Sequence, residues 1–269
     1  MSRRAIIAVA PNGARVLRQH NAAVPITPLE IAEEVAACAR AGAAIAHVHA
    51  RHADGTPSQA VETYAEILRL IRERCNIIVQ VSIGVRGFDL EEALRPIVLR
   101  PEMASFPLRA LRSGEGEDRL ADLVDMAGRM RAAGVRPELD ASDVPMLEAG
   151  LALLARGAVA EPPCFGLMVG EAPTARATIR GLLDLAERLP EGAHWWAGKG
   201  GRWQIELRAA ALAMGGHLRV GFEDSVLDRA GDAPAPNNAY WVEQAVDLAQ
   251  ALGREPATPA EARAMLSMS

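Results

Sequence analysis

The sequence predicts an α/β fold, a closed (β/α)8 TIM barrel forming a single domain over residues 1–269, on three observations. A short apolar run, a break containing Gly or Pro, and a longer amphipathic stretch recur eight times. A length of 269 residues is ordinary for one such barrel. The segment after the first run is Pro11-Asn12-Gly13-Ala14, not the GxGxxG phosphate loop that announces an open doubly wound sheet, so that fold ranks second.

The elements follow in order. Ala5–Ala10 is the first strand candidate. Thr27-Pro28-Leu29-Glu30 supplies an N-cap, a proline at the first helical position and an acid in the first turn, and Gly42 stops the helix. Ala43–Ala50 is the second strand and Gln59–Arg74 its helix. Asn76–Ser82, rich in Ile and Val, is the third strand, and Asp89–Leu99 the third helix. Pro101–Pro107 has poor strand propensity and is placed by its position in the alternation. The helix Asp118–Ala133 then ends at Gly134. Pro137–Ala141, Cys164–Val169, His194–Gly198 and His217–Phe222 are the remaining strands. Their helices are Val144–Arg156, Thr174–Leu189, Trp203–Met214 and Ala239–Leu252, with a helix start at Thr258.

Composition narrows the function classes. Half of the residues are hydrophobic, enough for a large core, and net charge is −5 with no dense Lys/Arg block, which argues against nucleic acid. No apolar run reaches the roughly 18 residues a membrane span needs. The apolar stretch after Met1-Ser2-Arg3-Arg4 breaks at Pro11, too early for a signal peptide. Three well-separated cysteines without a CxxC suit the reducing cytoplasm.

The sharpest local feature is His47-Val48-His49 near the C-terminal end of the second strand. Alternation points both imidazoles to one side, at the barrel end where active sites are built. The pair suits zinc, although two hydrogen-bonded core histidines would read the same way. Catalytic zinc takes three protein ligands and an open position. Arg219, Gly221 and Glu223 share a face of the last strand run, and a closed barrel brings that strand within two of the histidines. Glu223 is therefore the third candidate ligand; the alternative is that Glu223-Asp224 caps the next helix. Asp224 beside such a metal is a candidate general base, with Arg219 as its orienting partner.

Several motifs in order resemble the β-keto acid cleavage enzyme family, of the 3-keto-5-aminohexanoate cleavage type. They are His47-Val48-His49-Ala50-Arg51 with Asp54-Gly55-Thr56-Pro57, Arg100-Pro101-Glu102-Met103-Ala104-Ser105, Arg136-Pro137-Glu138-Leu139-Asp140, Met214 to Asp224, and Leu252 to Ala262. The resemblance covers nearly the whole chain. It implies a (β/α)8 barrel with one zinc ion, usually a homotetramer. The implied reaction joins a β-keto acid to acetyl-CoA and releases acetoacetate and a new acyl-CoA. It implies His47, His49 and Glu223 as zinc ligands, Asp224 and Arg219 as the catalytic dyad, and Ser82 as a contact to the keto acid, with Ser105 and Asp140 among the substrate contacts.

Departures from the family pattern bear on the substrate. Arg15 stands where many members carry an acid that meets a substrate amine, and Asp140 stands where the prototype has a glutamate. These changes point to a neutral or anionic β-keto acid, such as a 3-oxo dicarboxylate, unless Arg15 faces solvent. Asn12 is either a substrate contact at the top of the first strand or an ordinary Asn-Gly turn residue. Lys199-Gly200-Gly201-Arg202 follows the seventh strand, where barrels bind phosphates; Lys199 and Arg202 either grip the CoA phosphates or form a simple turn. His217, at the far end of its strand, is expected to be structural, and Trp195, Trp196 and Trp203 to pack the core. Two other functions compete: a metal-dependent hydrolase on the same barrel, against which stands the lack of any His between His52 and His194, and a non-catalytic metal-binding barrel, against which stands the Arg219–Asp224 pair.

Overall fold

The computed structural model describes residues 4–84, 88–109, 117–170, 177–199 and 204–268. Eight parallel strands close into a barrel in sequence order: β2 (Ile7–Val9), β3 (Ile45–Val48), β4 (Ile78–Val81), β5 (Met103–Pro107), β6 (Arg136–Ala141), β7 (Cys164–Leu167), β8 (His194–Ala197) and β9 (His217–Val220). β2 pairs with β9 through Ile7–Leu218 and Val9–Val220, which shuts the ring. The predicted barrel is the observed one.

The helices wrap the outside because each carries one apolar face. α1 (Pro28–Ala41) buries Ile31, Ala32, Val35, Ala36 and Cys38. The Thr27 side chain accepts from the Glu30 N–H while Glu30 reaches back to the Thr27 N–H, the reciprocal cap that the sequence signalled. α2 (Val61–Arg72) buries Tyr64, Ile67, Leu68, Leu70 and Ile71. The remaining helices are α3 (Leu90–Leu94), α4 (Glu117–Ala133), α5 (Val144–Ala155), α6 (Ile179–Ala186), α7 (Gln204–Ala213), α8 (Asn238–Ala251) and α9 (Pro259–Met265). None of the described helices is long and apolar enough to cross a membrane.

Three elements differ from expectation. The first strand is split: β1 (Arg4–Ala5) pairs with β10 (Glu255–Pro256) beneath the barrel, and only Ile7–Val9 joins the ring. The break falls at Ile6, whose N–H donates to the His217 Nδ1 side-chain atom instead of to a strand carbonyl. The third helix gives way at Arg95 to a 3-10 turn running to Leu99, because Pro96 removes a backbone donor. The last strand stops at Val220 rather than Phe222, since Gly221 turns at φ 126. The predicted starts at Thr174 and Trp203 lie outside the described residues.

The barrel interior is layered. Ile6, Ala8, Ile45, Ile78, Met103, Cys164, Met168 and Trp196 belong to one apolar cluster closed below by Ala262 and Leu266 of the C-terminal segment. Above them the inward residues turn polar: His47, Gln80, Ser105, Glu138 and Arg219 are all buried. This gradient locates the chemistry at the C-terminal mouth.

Candidate active site

His47 and His49 reach the mouth from β3 and the residue after its end, as strand alternation requires. His47 Nε2 and His49 Nε2 lie 3.0 Å apart. Glu223 Oε2 is 3.5 Å from the first and 3.2 Å from the second. A tetrahedral zinc ion with bonds of about 2.0–2.1 Å holds its ligand atoms roughly 3.3 Å apart, so this triangle fits one ion. Glu223 Oε2 is buried and has no hydrogen-bond partner, as a lone pair reserved for a cation would be. Burial would raise the Glu223 carboxyl, but the Arg219 guanidinium and the two imidazoles outweigh it and hold it well below the usual range. Burial also lowers His47 to about 3 despite the attraction of Glu223, leaving a neutral imidazole with a lone pair to give.

Glu223 arrives differently from the way alternation suggested. It sits in the turn after β9, with its N–H bonded to the Ala10 carbonyl. Gly221 makes the turn possible: a Cβ there would lie 2.5 Å from Ala10 O, on a left-handed backbone. The Asp224 side chain is fully buried, and Arg219 clamps it with Nε on Oδ2 at 3.2 Å and Nη2 on Oδ1 at 2.9 Å. The same Nη2 reaches Glu223 Oε1 at 2.7 Å. The structure thus pairs Asp224 with Arg219, and Arg219 ties both to Glu223.

The cavity above these groups is lined by Arg15, Ser82, Ser105, Asp140, Lys199 and Arg219 with His47, His49 and Glu223, among others. Ser105 Oγ accepts from the Ile83 N–H. Arg15 is exposed at the rim. Asn12 is fully buried, and its amide pairs with both the N–H and the C=O of His49, so it fixes the His49 backbone. Lys199 turns inward, its Nζ 3.7 Å from Asp224 Oδ1 and 3.8 Å from Glu223 Oε1. Arg202 lies outside the described residues. His217 takes the structural place expected of it, at the floor.

Sequence reasoning passed over four contributors. Gln80, the cross-strand neighbour of His47, accepts from His47 Nδ1 at 2.6 Å and donates to Glu138. That contact leaves Nε2 of His47 as the free lone pair. His49 Nδ1 has no such partner. Burial raises the Glu138 carboxyl, with the Gln80 amide and Arg219 pulling the other way. Gln80 was findable, since it shares a face with Ser82 two residues on. The buried Arg51 guanidinium donates to the carbonyls of Gly13, Val16 and Gly55 and so ties two loops at the mouth. Arg109 lines the cavity and donates to Gly84 O at 2.8 Å; nothing in its local sequence marks it.

Comparison with known proteins gives the family. The family model for beta-keto acid cleavage enzyme matches residues 4–268. A Fusobacterium nucleatum protein named 3-keto-5-aminohexanoate cleavage enzyme is 39% identical, with the match covering 100% of this chain and 99% of that one. A Cupriavidus necator protein named 3-oxoadipate:acetyl-CoA acetyltransferase is 35% identical over 100% of this chain and 96% of its own. A solved structure described as the ternary complex of ObcA with a C4-CoA adduct and oxalate superposes with a TM-score of 0.78 at 20% identity, over 91% of this chain and 67% of that one, a likeness of fold. Together with the full-length match, these relatives place the chain in the β-keto acid cleavage enzyme family.

Proposed function

We propose that this protein condenses a β-keto acid with acetyl-CoA and releases acetoacetate and a new acyl-CoA, using a zinc ion held by His47, His49 and Glu223. The observation that carries this is the convergence of three ligand atoms, within 3.0–3.5 Å of one another, from two distant stretches of chain. A bound zinc ion would polarise the keto carbonyl and stabilise enolate charge.

The protein's own residues do the rest. Asp224, oriented by Arg219, takes the proton from the carbon between the two carbonyl groups. That carbon attacks the acetyl thioester, a C–C bond forms and CoA thiolate leaves. The thiolate then adds to the original keto carbon, and the bond between that carbon and the former α-carbon breaks. Asp224 returns its proton to the acetoacetate carbanion, so atoms and charge balance. Ser82, Ser105 and Asp140 in the cavity wall hold the keto acid. Arg202 is assigned to the CoA phosphates from its place after the seventh strand. Family membership also supports a homo-oligomer, a dimer or tetramer, in the cytoplasm; light scattering on the purified protein checks the first.

The cavity carries Arg15, Arg109, Lys199 and Arg219 against Asp140 and Glu223. This balance supports an anionic substrate, and the 35% identical relative named for 3-oxoadipate points to a 3-oxo dicarboxylate. Arg15→Glu should shift preference away from dicarboxylates and toward aminated β-keto acids by about tenfold, the effect of roughly 1.4 kcal/mol. Unchanged preference removes Arg15 from substrate choice.

The deciding assay is a panel of β-keto acids with and without acetyl-CoA, read by acetoacetate release. Release that requires acetyl-CoA is expected. Ester or amide turnover without coenzyme would make the protein a metal-dependent hydrolase. Full metal loading with no turnover would make it a binding barrel.

A further inference from the structure

Lys199 follows β8 with its backbone at φ 63, a left-handed conformation that a residue with a Cβ adopts only when its surroundings hold it there. The side chain is not sent out of the mouth. Its ammonium hangs 3.7 Å from Asp224 Oδ1 and 3.8 Å from Glu223 Oε1. These separations give Coulomb attraction but exceed hydrogen-bond length. The facing oxygens already accept from Arg219, at 2.9 and 2.7 Å. Lys199 therefore adds little as a neutraliser of the acid pair, which Arg219 already serves. It lines the cavity with about a quarter of its side chain exposed, and its three N–H donors have no hydrogen-bond partner among the described residues.

A strained backbone, an inward ammonium and unspent donors beside the reacting groups are the marks of a site prepared for charge that is not yet present. We propose that Lys199 is a catalytic residue, donating a hydrogen bond to the carbonyl oxygen of the thioester as that carbonyl is attacked. This rests on the acetyl-CoA reaction proposed above. In that step the carbanion pair forms the new C–C bond, and the carbonyl π pair moves onto oxygen. The pair returns as CoA thiolate leaves. Lys199 stabilises the transient alkoxide and keeps its proton throughout. A zinc ion held by His47, His49 and Glu223 would take the developing charge of the keto acid, and Arg219 is committed to Asp224 and Glu223. The thioester oxygen is the remaining centre of new charge, and Lys199 holds its ammonium beside Asp224, whereas Arg15 is exposed at the rim and Arg109 donates to Gly84 O.

The test compares Lys199→Met and Lys199→Arg with the wild type, all zinc-loaded, for kcat, for KM of the keto acid, and for the dissociation constant of CoA itself. Zinc content and Tm are measured alongside. The Met variant should lose at least about 100-fold in kcat, the usual cost of one oxyanion donor, with CoA affinity within twofold of wild type and zinc content unchanged. The Arg variant should recover part of the rate. A tenfold loss of CoA affinity with kcat kept would assign Lys199 to the phosphates and overturn the proposal. A rise confined to the KM of the keto acid would make it a carboxylate anchor, and loss of zinc would make it a support for the metal site; either outcome also overturns it, as does an unchanged kcat. A wild type that never releases acetoacetate, whatever the keto acid, sinks the acetyl-CoA reaction and this role together.

Discussion

Two histidine pairs occupy opposite ends of the same barrel. His47 and His49 meet edge to face at the mouth, ring centroids 4.9 Å apart and planes at 74°. His194 and His217 stack at the floor, 5.5 Å apart and 14° from parallel. Burial lowers both His47 and His217 to about 3. What differs is the third party. At the mouth Glu223 faces both rings. At the floor the neighbouring charges are the guanidiniums of Arg136 and Arg254, and the lone pair of His217 Nδ1 is used by the Ile6 N–H. A cation is invited at one end and repelled at the other. A His-His pair can thus offer a metal site only where an acid completes it and the lone pairs are unspent.

The comparison can be broken most directly at Glu223. Glu223→Ala should remove zinc binding and lower kcat/KM by at least about 1000-fold, since loss of Lewis-acid stabilisation is worth several kcal/mol. Zinc content by atomic absorption and steady-state rates check it; retained zinc with full activity would put the ion elsewhere. Gln80→Leu probes the outer support of His47. It should weaken zinc affinity by about 10–100-fold without changing the ligands, measured by competition with a chelator. An unchanged affinity would mean that β3 alone orients the ring.

The floor pair should respond in stability instead. The His217 value of about 3 lies below that of an unfolded histidine, about 6.5, so the unfolded chain takes up the proton first. Stability should therefore fall as pH drops from about 6.5 toward 3, by about 1–2 kcal/mol at pH 5 from this residue. Urea unfolding at pH 7 and pH 5 reads this, and His217→Gln should remove about that share of the difference while leaving kcat at pH 7 intact. A variant with the wild-type pH slope would locate the titration in another group.

Much of this was legible because local rules act at short range. The repeat of apolar run and amphipathic stretch gave the barrel, Thr27 and Glu30 gave a cap, and the two-residue spacing of His47 and His49 gave a shared face. Glu223 was reached by extending strand alternation past Val220. The structure does bring Glu223 to the two histidines, but by another path, because the Gly221 turn carries it to the mouth. Asn12 was visible as a polar residue at a strand end, but its use on the His49 backbone depends on two loops meeting. Arg51, Glu138 and Arg109 were illegible for the same reason: their partners lie on other strands or loops, and no local pattern encodes a contact across the barrel. Lys199 was marked by its place after a strand, whereas the direction of its side chain is set by a backbone conformation that lysine does not advertise.

The way Arg51 fastens the mouth has a bearing on how this scaffold can diversify. Its guanidinium grips main-chain oxygens at Gly13, Val16 and Gly55, groups that every amino acid possesses. The identity of the side chain between the first two anchors is left out of the bargain. Position 15 can pass from acid to base while the segment bearing it stays pinned to the strand that supplies both imidazoles. New substrate preferences can then be tried at one codon without loosening the chemistry underneath.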